Sequence, residues 1–260
     1  MLSASYDPAT GTLTFSGGAG SYSSPLFTQV TGTFFSAAAP GGAALIWIPA
    51  AQVKVIDGSA VQGTDMHIVL TGMSVSDHVE TILTGDGDDV LEIMSRPYSG
   101  SGFHGTFIDV GAGDDIVRSW NGDDTIMLGA GNDVAWAGGG DDEIHAGSGQ
   151  NLIYGGEGFD TVVVEGNMDD WVIEQLPDGN YVIREKGSDP FPWRDGFMTD
   201  EVDYDYVWVQ DVEMIQFDDT ELHVGGDLTV DIPVEPIGGG VFGEPLEGLG
   251  GLVLDEFLFG

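Results

Sequence analysis

Residues 110–163 divide into six consecutive blocks of nine: VGAGDDIVR, SWNGDDTIM, LGAGNDVAW, AGGGDDEIH, AGSGQNLIY and GGEGFDTVV. The fourth position is Gly in every block, and the second is Gly in all blocks but one, where Trp120 stands. The sixth position is Asp in five blocks and Asn151 in the other, while the eighth is always apolar. A seventh copy, TGDGDDVLE at 84–92, stands apart upstream. Six gapless copies indicate a repeat architecture, and the gap before them indicates that the intervening turn has lost the register.

Each block of nine predicts one turn followed by one short strand. A three-residue strand centred on the eighth position would direct that side chain inward and its two neighbours outward. The six preceding residues are rich in Gly and Asp, and Gly permits the positive φ that tight turns need. Two blocks therefore predict one coil of a flattened solenoid, with turns along both of its edges.

This pattern resembles the repeat of the RTX, or haemolysin-type, calcium-binding proteins. The resemblance implies an all-β fold, a right-handed parallel β-roll with a β-rich N-terminal cap and a C-terminal hairpin and strand cap. It also implies several Ca²⁺ ions between stacked turns, held by the sixth-position side chains and by carbonyls of the Gly-rich turns. Residues eighteen apart share an edge of the roll, so two rows of ligands are expected.

The predicted metal-binding residues fall into these two rows. One edge is expected to carry Asp115, Asp133 and Asn151, and the other Asp124, Asp142 and Asp160, with Asp89 supplied by the seventh copy. Asn151 keeps an oxygen but loses a charge, and Gln150 and Phe159 replace the usual Asp at the fifth position, so the last site on each edge is expected to be weaker. The glycines assigned to the sites are Gly111, Gly113, Gly122, Gly129, Gly131, Gly138, Gly140, Gly147, Gly149, Gly156 and Gly158.

The composition limits the classes of partner. Lys and Arg number 6 against 44 Asp and Glu, which gives a formal net charge of −38. Nucleic acids and anionic membranes need basic patches, so neither is an expected partner, whereas bound cations are. The chain has no Cys, so disulfides contribute nothing to its stability. No apolar run approaches the length of a membrane span.

Four regions are predicted. Residues 1–83 form a β-rich N-terminal cap leading into the roll, and residues 84–163 form the calcium-binding β-roll with a loop insertion at 93–109. Residues 164–224 form a C-terminal capping region, in which PDGN at 177–180 is typical of a β-hairpin. Residues 225–260 form a flexible tail.

The sequence also predicts how the protein reaches its calcium. MLSASYDPAT at the N-terminus has no feature of a cleavable signal, while LVLDEFLFG in the tail resembles the uncleaved C-terminal signals of RTX proteins. The resemblance implies the type I secretion apparatus as a partner. Free Ca²⁺ in the cytosol is too scarce for weak sites of the extracellular kind. We therefore expect a bacterial protein that is secreted, or attached to the cell surface, and folds outside the cell.

The biological role stays open at this point. The chain has neither HExxH nor GxSxG, and without Cys it has no thiol nucleophile, so we expect no enzyme. A structural or adhesive protein, a carbohydrate-binding or carbohydrate-modifying protein, and an accessory protein that binds another secreted protein remain possible. One outward face collects Trp136 and Tyr154 with several apolar residues. The N-terminal cap or the loop at 93–109 would cover that face, or else it meets a glycan or a second subunit.

Overall fold

The computed structural model describes residues 3–17, 26–31, 34–39, 43–48, 52–71, 79–94, 104–187 and 205–224. The predicted tail at 225–260 lies outside the described residues. Apart from a 3-10 turn at Met168–Asp170, the regular structure of the described residues is all β. The strands are β1 Ser3–Asp7, β2 Thr12–Gly17, β3 Leu26–Thr31, β4 Phe34–Ala39, β5 Ala43–Ile48, β6 Val55–Val61, β7 Met66–Thr71, β8 Thr81–Leu83, β9 Val90–Met94, β10 Phe107–Asp109, β11 Ile116–Arg118, β12 Thr125–Met127, β13 Val134–Gly139, β14 Glu143–His145, β15 Gln150–Glu157, β16 Thr161–Val163, β17 Trp171–Gln175, β18 Tyr181–Glu185, β19 Tyr206–Gln210, β20 Met214–Gln216 and β21 Glu221–His223.

The strands form two sheets that the chain visits alternately through the repeats. Sheet A has the order β1-β2-β6-β8-β10-β12-β14-β16-β20-β21. Sheet B has the order β17-β18-β19-β15-β13-β11-β9-β7-β3-β4-β5. Consecutive strands of the repeats lie in opposite sheets, and strands two apart pair in parallel. This arrangement confirms the predicted all-β parallel roll.

The repeat phase predicted from the sequence sets the core. Ile116 pairs with Val134 and Thr125 with Glu143, so residues eighteen apart are neighbours. The eighth-position side chains lie between the sheets and are fully buried. They are Val117, Ile126, Ala135, Ile144, Ile153 and Val162. Apolar residues at the first position, such as Val110, Leu128 and Ala137, are also fully buried, so two positions in nine build the interior of the roll.

The seventh copy joins the same stack, although the step to the next repeat on its edge is 26 residues and not eighteen. β11 pairs with β9 in parallel, and Val117 stands opposite Leu91, 26 residues upstream. The coil is longer than eighteen residues, but the inward phase is kept.

The loop predicted at 93–109 is wrong at both ends, because Ile93 belongs to β9 and residues 107–109 form β10. Residues 95–103 lie outside the described residues.

Parallel stacking extends beyond the boundaries predicted for the roll. Upstream, β6 pairs with β8 and β7 pairs with β9, so coils begin before residue 84. Downstream, β19 pairs with β15 and β20 with β16, so residues 205–217 supply a further coil. Between them, β17 and β18 form the predicted hairpin, which extends sheet B in the antiparallel sense.

Glycines let the turns of neighbouring coils approach closely. The second-position glycines have left-handed φ values between 66° and 121°. A Cβ on Gly129 would lie 1.9 Å from the carbonyl oxygen of Gly111 in the coil before, and the other repeat glycines face the same obstacle. Trp120, the one exception at the second position, adopts the same conformation, with φ of 87° and 45% of its surface exposed. Every second-position residue of the six repeats therefore has a left-handed backbone, and the glycines also leave room for a carbonyl of the coil before.

We expect Gly129→Ala to destabilise the folded roll by at least ~3 kcal/mol, because the new methyl group meets a backbone oxygen that cannot move alone. Gly179→Ala is the matched control. Its φ of 96° is close to the 81° of Gly129, yet nothing lies within 4 Å of the new methyl position. The control should lose only about 1 kcal/mol. Urea unfolding in the presence of Ca²⁺ measures both, and equal losses would contradict the close stacking of the turns.

Candidate metal centre

The sixth-position side chains form one row along each edge of the roll. The N–H of Asp89 donates to Oδ1 of Asp115 at 2.7 Å, and the N–H of Asp115 donates to Oδ1 of Asp133 at 2.9 Å. The row on this edge, edge one, ends at Asn151, whose Oδ1 accepts from the N–H of Asp133 at 2.8 Å. Each side chain is therefore fixed by the backbone of the coil before it.

Edge two repeats this arrangement. The N–H of Asp124 donates to Oδ1 of Asp142 at 2.8 Å, and the N–H of Asp142 donates to Oδ1 of Asp160 at 3.0 Å. The row begins at Thr106, whose N–H donates to Oδ1 of Asp124 at 2.7 Å. The structure thus places the six repeat side chains in two rows, as the eighteen-residue period predicts, and adds Asp89 to edge one across a step of 26 residues.

The second carboxylate oxygen distinguishes these residues from ordinary turn aspartates. The sixth-position aspartates of the six blocks expose at most 2% of their surface, and Oδ2 of each is buried without a hydrogen-bond partner. They are Asp115, Asp124, Asp133, Asp142 and Asp160. A buried carboxylate with one oxygen lacking a hydrogen-bond donor is unfavourable unless a cation or a proton neutralises it. Both edges therefore fit a cation.

Asp89 and Asn151 differ from the other five. Oδ2 of Asp89 accepts from the N–H of Gly85 at 3.3 Å, so this carboxylate has a partner within its own turn. Nδ2 of Asn151 donates to the carbonyl of Ala146 at 2.7 Å. An amide nitrogen in that place is a donor and cannot bind a metal ion. The orphaned oxygens of edge one are thus confined to Asp115 and Asp133.

Burial is the main cause that raises the pKa of each sixth-position carboxyl above its ordinary value of 3.8. Neighbouring carboxylates raise the pKa of Asp115 further, and hydroxyl groups of Thr84 and Ser119 lower the pKa values of Asp89 and Asp124. The pKa values are about 6 for Asp89, Asp124 and Asp160, about 7 for Asp133 and Asp142, and about 9 for Asp115. Burial therefore favours the protonated form of these carboxyls where no cation neutralises them.

Backbone carbonyls would supply the remaining oxygen donors of a bound cation. Among the described residues, no three His, Asp or Glu side chains converge as a cage. The fourth-position carbonyls stack in columns along the edges: a Cβ on Gly131 would lie 1.9 Å from the oxygen of Gly113, and a Cβ on Gly149 would lie 2.0 Å from that of Gly131. Ca²⁺ takes about six to eight hard oxygen ligands in flexible geometry, and a mixture of carboxylates and carbonyls suits it.

The structure adds two acidic residues that the repeat pattern does not contain. Oε2 of Glu213 accepts from the N–H of Asp160 at 2.8 Å, and Oδ1 of Asp205 accepts from the N–H of Gly149 at 2.7 Å. Both lie more than fifty residues from their partners, outside the nine-residue period. A signal for Glu213 does exist, because an acidic residue before Met214–Gln216 repeats the order of Asp160 before Thr161–Val163.

Trp136 and Tyr154, the predicted binding residues on the outer face of sheet B, stack on each other. Their ring centroids lie 5.4 Å apart at an interplanar angle of 8°. The guanidinium carbon of Arg118 lies 4.6 Å from the centroid of Trp136, and Trp208 meets Tyr154 edge-on at 5.1 Å. The ring faces are therefore occupied by neighbours on the same face.

The apolar part of this face continues onto β18 and β19, which belong to sheet B itself. Leu152 forms a small apolar cluster with Val182, Tyr206 and Trp208, against which Val134 packs. In the described part of the chain, the predicted cover is not observed: residues 107–109 belong to sheet A, and the N-terminal strands extend the two sheets.

The fold and the two rows of buried carboxylates define a parallel β-roll with cation-binding turns along both edges. The family model of the RTX calcium-binding nonapeptide repeat matches residues 105–135 and 129–162, with four copies. This segment therefore consists of RTX repeats, and the cofactor of such repeats is Ca²⁺. The copy at 84–92 lies outside the matched residues. No curated protein matches the chain.

RTX repeat proteins are typically secreted by bacteria, and the family is associated with type I secretion. Within the described part of the chain, none of the helices has the length and hydrophobicity of a membrane span.

In the presence of chelator, we expect the roll to become less stable as the pH rises from about 4 to about 9. The folded state holds protons that the unfolded state, with carboxyl pKa values near 3.8, has released. The stability that these protons contribute is complete below the unfolded pKa and is lost as the pH passes through the folded values of about 6 to 9. Urea unfolding at several pH values measures it, and stability that rises with pH in chelator would refute the raised pKa values.

We expect Asp133→Asn to weaken calcium binding without weakening the metal-free roll. The amide oxygen can still accept from the N–H of Asp115, and the new Nδ2 can donate to a carbonyl of its own turn, as Asn151 does. The Ca²⁺ midpoint of folding should rise roughly tenfold, which corresponds to about 1.4 kcal/mol, while urea stability in chelator at about pH 5.5 stays close to wild type.

The matched control is Asp114→Asn, which removes the same charge from an exposed fifth-position residue of edge one. Its midpoint should change much less. If both variants shift the midpoint equally, the effect is general charge reduction and not the loss of a ligand.

Proposed function

We propose that this protein is a secreted calcium-binding β-roll that folds when it meets Ca²⁺ outside the cell. The observation that carries the proposal is the set of buried, unpartnered Oδ2 atoms in Asp115, Asp124, Asp133, Asp142 and Asp160. Without a cation, each would have to be protonated or buried as an uncompensated charge, in a chain whose net charge is already −38. Binding free energy would then contribute directly to folding.

Secretion is supported by the same chemistry. Sites of this kind in extracellular modules have a Kd on the order of 10⁻⁴ to 10⁻³ M, far above the free Ca²⁺ of a cytosol. The chain would remain unfolded inside the cell and could pass through a type I exporter, with which the RTX family is associated. Extracellular calcium would then fold it and prevent its return.

We further propose that the roll itself is the functional body, with a structural or adhesive role and no enzymatic one. Parallel stacking from β2 to β20 uses most of the described residues for a single solenoid. A solenoid of this kind offers long, regular surfaces for contact with other molecules.

The aromatic row on sheet B supports a structural role for this face over glycan binding. A sugar ring stacks on the free face of an aromatic side chain, but Trp136 lies between Arg118 and Tyr154. Arg118 is in turn held by Glu92, with Nη1 3.2 Å from Oε1. The row from Glu92 to Trp208 thus joins side chains of five neighbouring strands and reinforces their register.

Calcium titration of the purified chain at neutral pH tests the proposal. Far-ultraviolet circular dichroism and the hydrodynamic radius should report an expanded, largely disordered roll in chelator and a compact β structure in millimolar Ca²⁺. Mg²⁺ should substitute poorly, because it requires a tighter octahedron and retains its water ligands. Identical spectra and radii in chelator and in Ca²⁺ would reject calcium-driven folding.

A further inference from the structure

The row of side chains on edge two continues one coil beyond the last repeat. Within the repeats, each sixth-position N–H donates to the carboxylate of the next coil, as Asp142 does to Asp160. Asp160 makes the same bond to Oε2 of Glu213 at 2.8 Å. Glu213 therefore occupies, in the coil that follows, the place that Asp160 occupies in its own.

The strand register confirms this equivalence. Thr161 pairs with Met214, just as Glu143 pairs with Thr161 one coil earlier. Glu213 thus precedes β20 directly, as Asp160 precedes β16, and the inward residue Ile215 is fully buried like Val162. The separation is 53 residues because the hairpin of β17 and β18 and the chain up to β19 intervene.

Two further oxygens lie around the space that the missing side chain of Gly155 leaves beside Asp160. A Cβ on Gly155 would lie 2.2 Å from the carbonyl oxygen of Asp211 and 2.6 Å from Oδ2 of Asp160. These two oxygens come from consecutive coils and face the same small space, which only Gly leaves open. Asp160 is completely buried, and its Oδ2 has no hydrogen-bond partner.

We propose that Asp160, Glu213 and the carbonyl of Asp211 form a terminal Ca²⁺ site that lies outside the nonapeptide repeats. Two carboxylates and a carbonyl from two coils are hard oxygen donors of the kind that Ca²⁺ prefers. Edge one has no counterpart, because Asn151 stands opposite Val207 and its Nδ2 is already bound to a carbonyl. The site therefore lies at the end of the row on edge two, and the row on edge one ends without an equivalent site. This inference rests on the proposed calcium binding of the roll.

Glu213→Gln tests the site, because glutamine keeps an oxygen that can accept from the N–H of Asp160 but loses the charge. Isothermal titration calorimetry and native mass spectrometry of the full chain should show one Ca²⁺ ion fewer than in wild type at saturation. Glu221→Gln is the matched control, since it removes the same charge from an exposed residue of the adjacent strand β21. It should bind as many ions as wild type.

The outcomes separate this inference from the proposed function. If wild type binds no Ca²⁺, the proposed function fails and this site fails with it. If wild type binds Ca²⁺ and both variants bind the same number of ions, Glu213 is only a hydrogen-bond acceptor and the terminal site is overturned. If Glu213→Gln does not fold, Glu213→Asp decides: a raised Ca²⁺ midpoint with the full number of ions supports the site, and an unchanged midpoint overturns it.

Discussion

The buried sixth-position carboxylate is the constraint on which the rest of this structure depends. One of its oxygens accepts from the backbone of the preceding coil, so the side chain cannot turn outward into water. The other oxygen has no donor within reach in five of the seven turns. Desolvation therefore makes the folded roll dependent on whatever neutralises these groups, a proton at low pH or a cation at neutral pH. The same geometry that orders the edges makes them binding sites.

The glycine columns are the second half of the same arrangement. Carbonyl oxygens of one coil occupy the space that side chains of the next would need, as at Gly111 and Gly129. The same edges carry the buried sixth-position carboxylates. Trp120 shows that the left-handed backbone and the missing Cβ are separate features, because it adopts this backbone conformation without being glycine. Its counterpart eighteen residues upstream lies outside the described residues, whereas Gly129 has a carbonyl directly above it.

Parallel pairing allows the roll to tolerate insertions. The coil that joins β9 to β11 contains 26 residues, and the step from Asp160 to Glu213 spans 53, yet the strands keep their inward phase. The inward residue and the ladder of hydrogen bonds fix each strand, so extra residues between strands leave the stacking of the strands unchanged. On sheet B, the row from Glu92 through Arg118 and Trp136 adds contacts between side chains of adjacent coils.

The sequence by itself determined the repeating unit, the inward positions and the edge to which each repeat aspartate belongs, because a strict period of nine fixes the direction of every side chain. Only the tertiary structure decided where the rows begin and end. It placed Asp89 in edge one across an irregular coil and brought Glu213 to the end of edge two. It also showed that Nδ2 of Asn151 donates to a backbone carbonyl, where the neighbouring aspartates have an oxygen without a partner. It also showed that the apolar face of sheet B continues onto the C-terminal strands β18 and β19 of the same sheet. These contacts join segments separated by irregular lengths of chain, and spacing carries no information about which distant backbone N–H a side chain will meet.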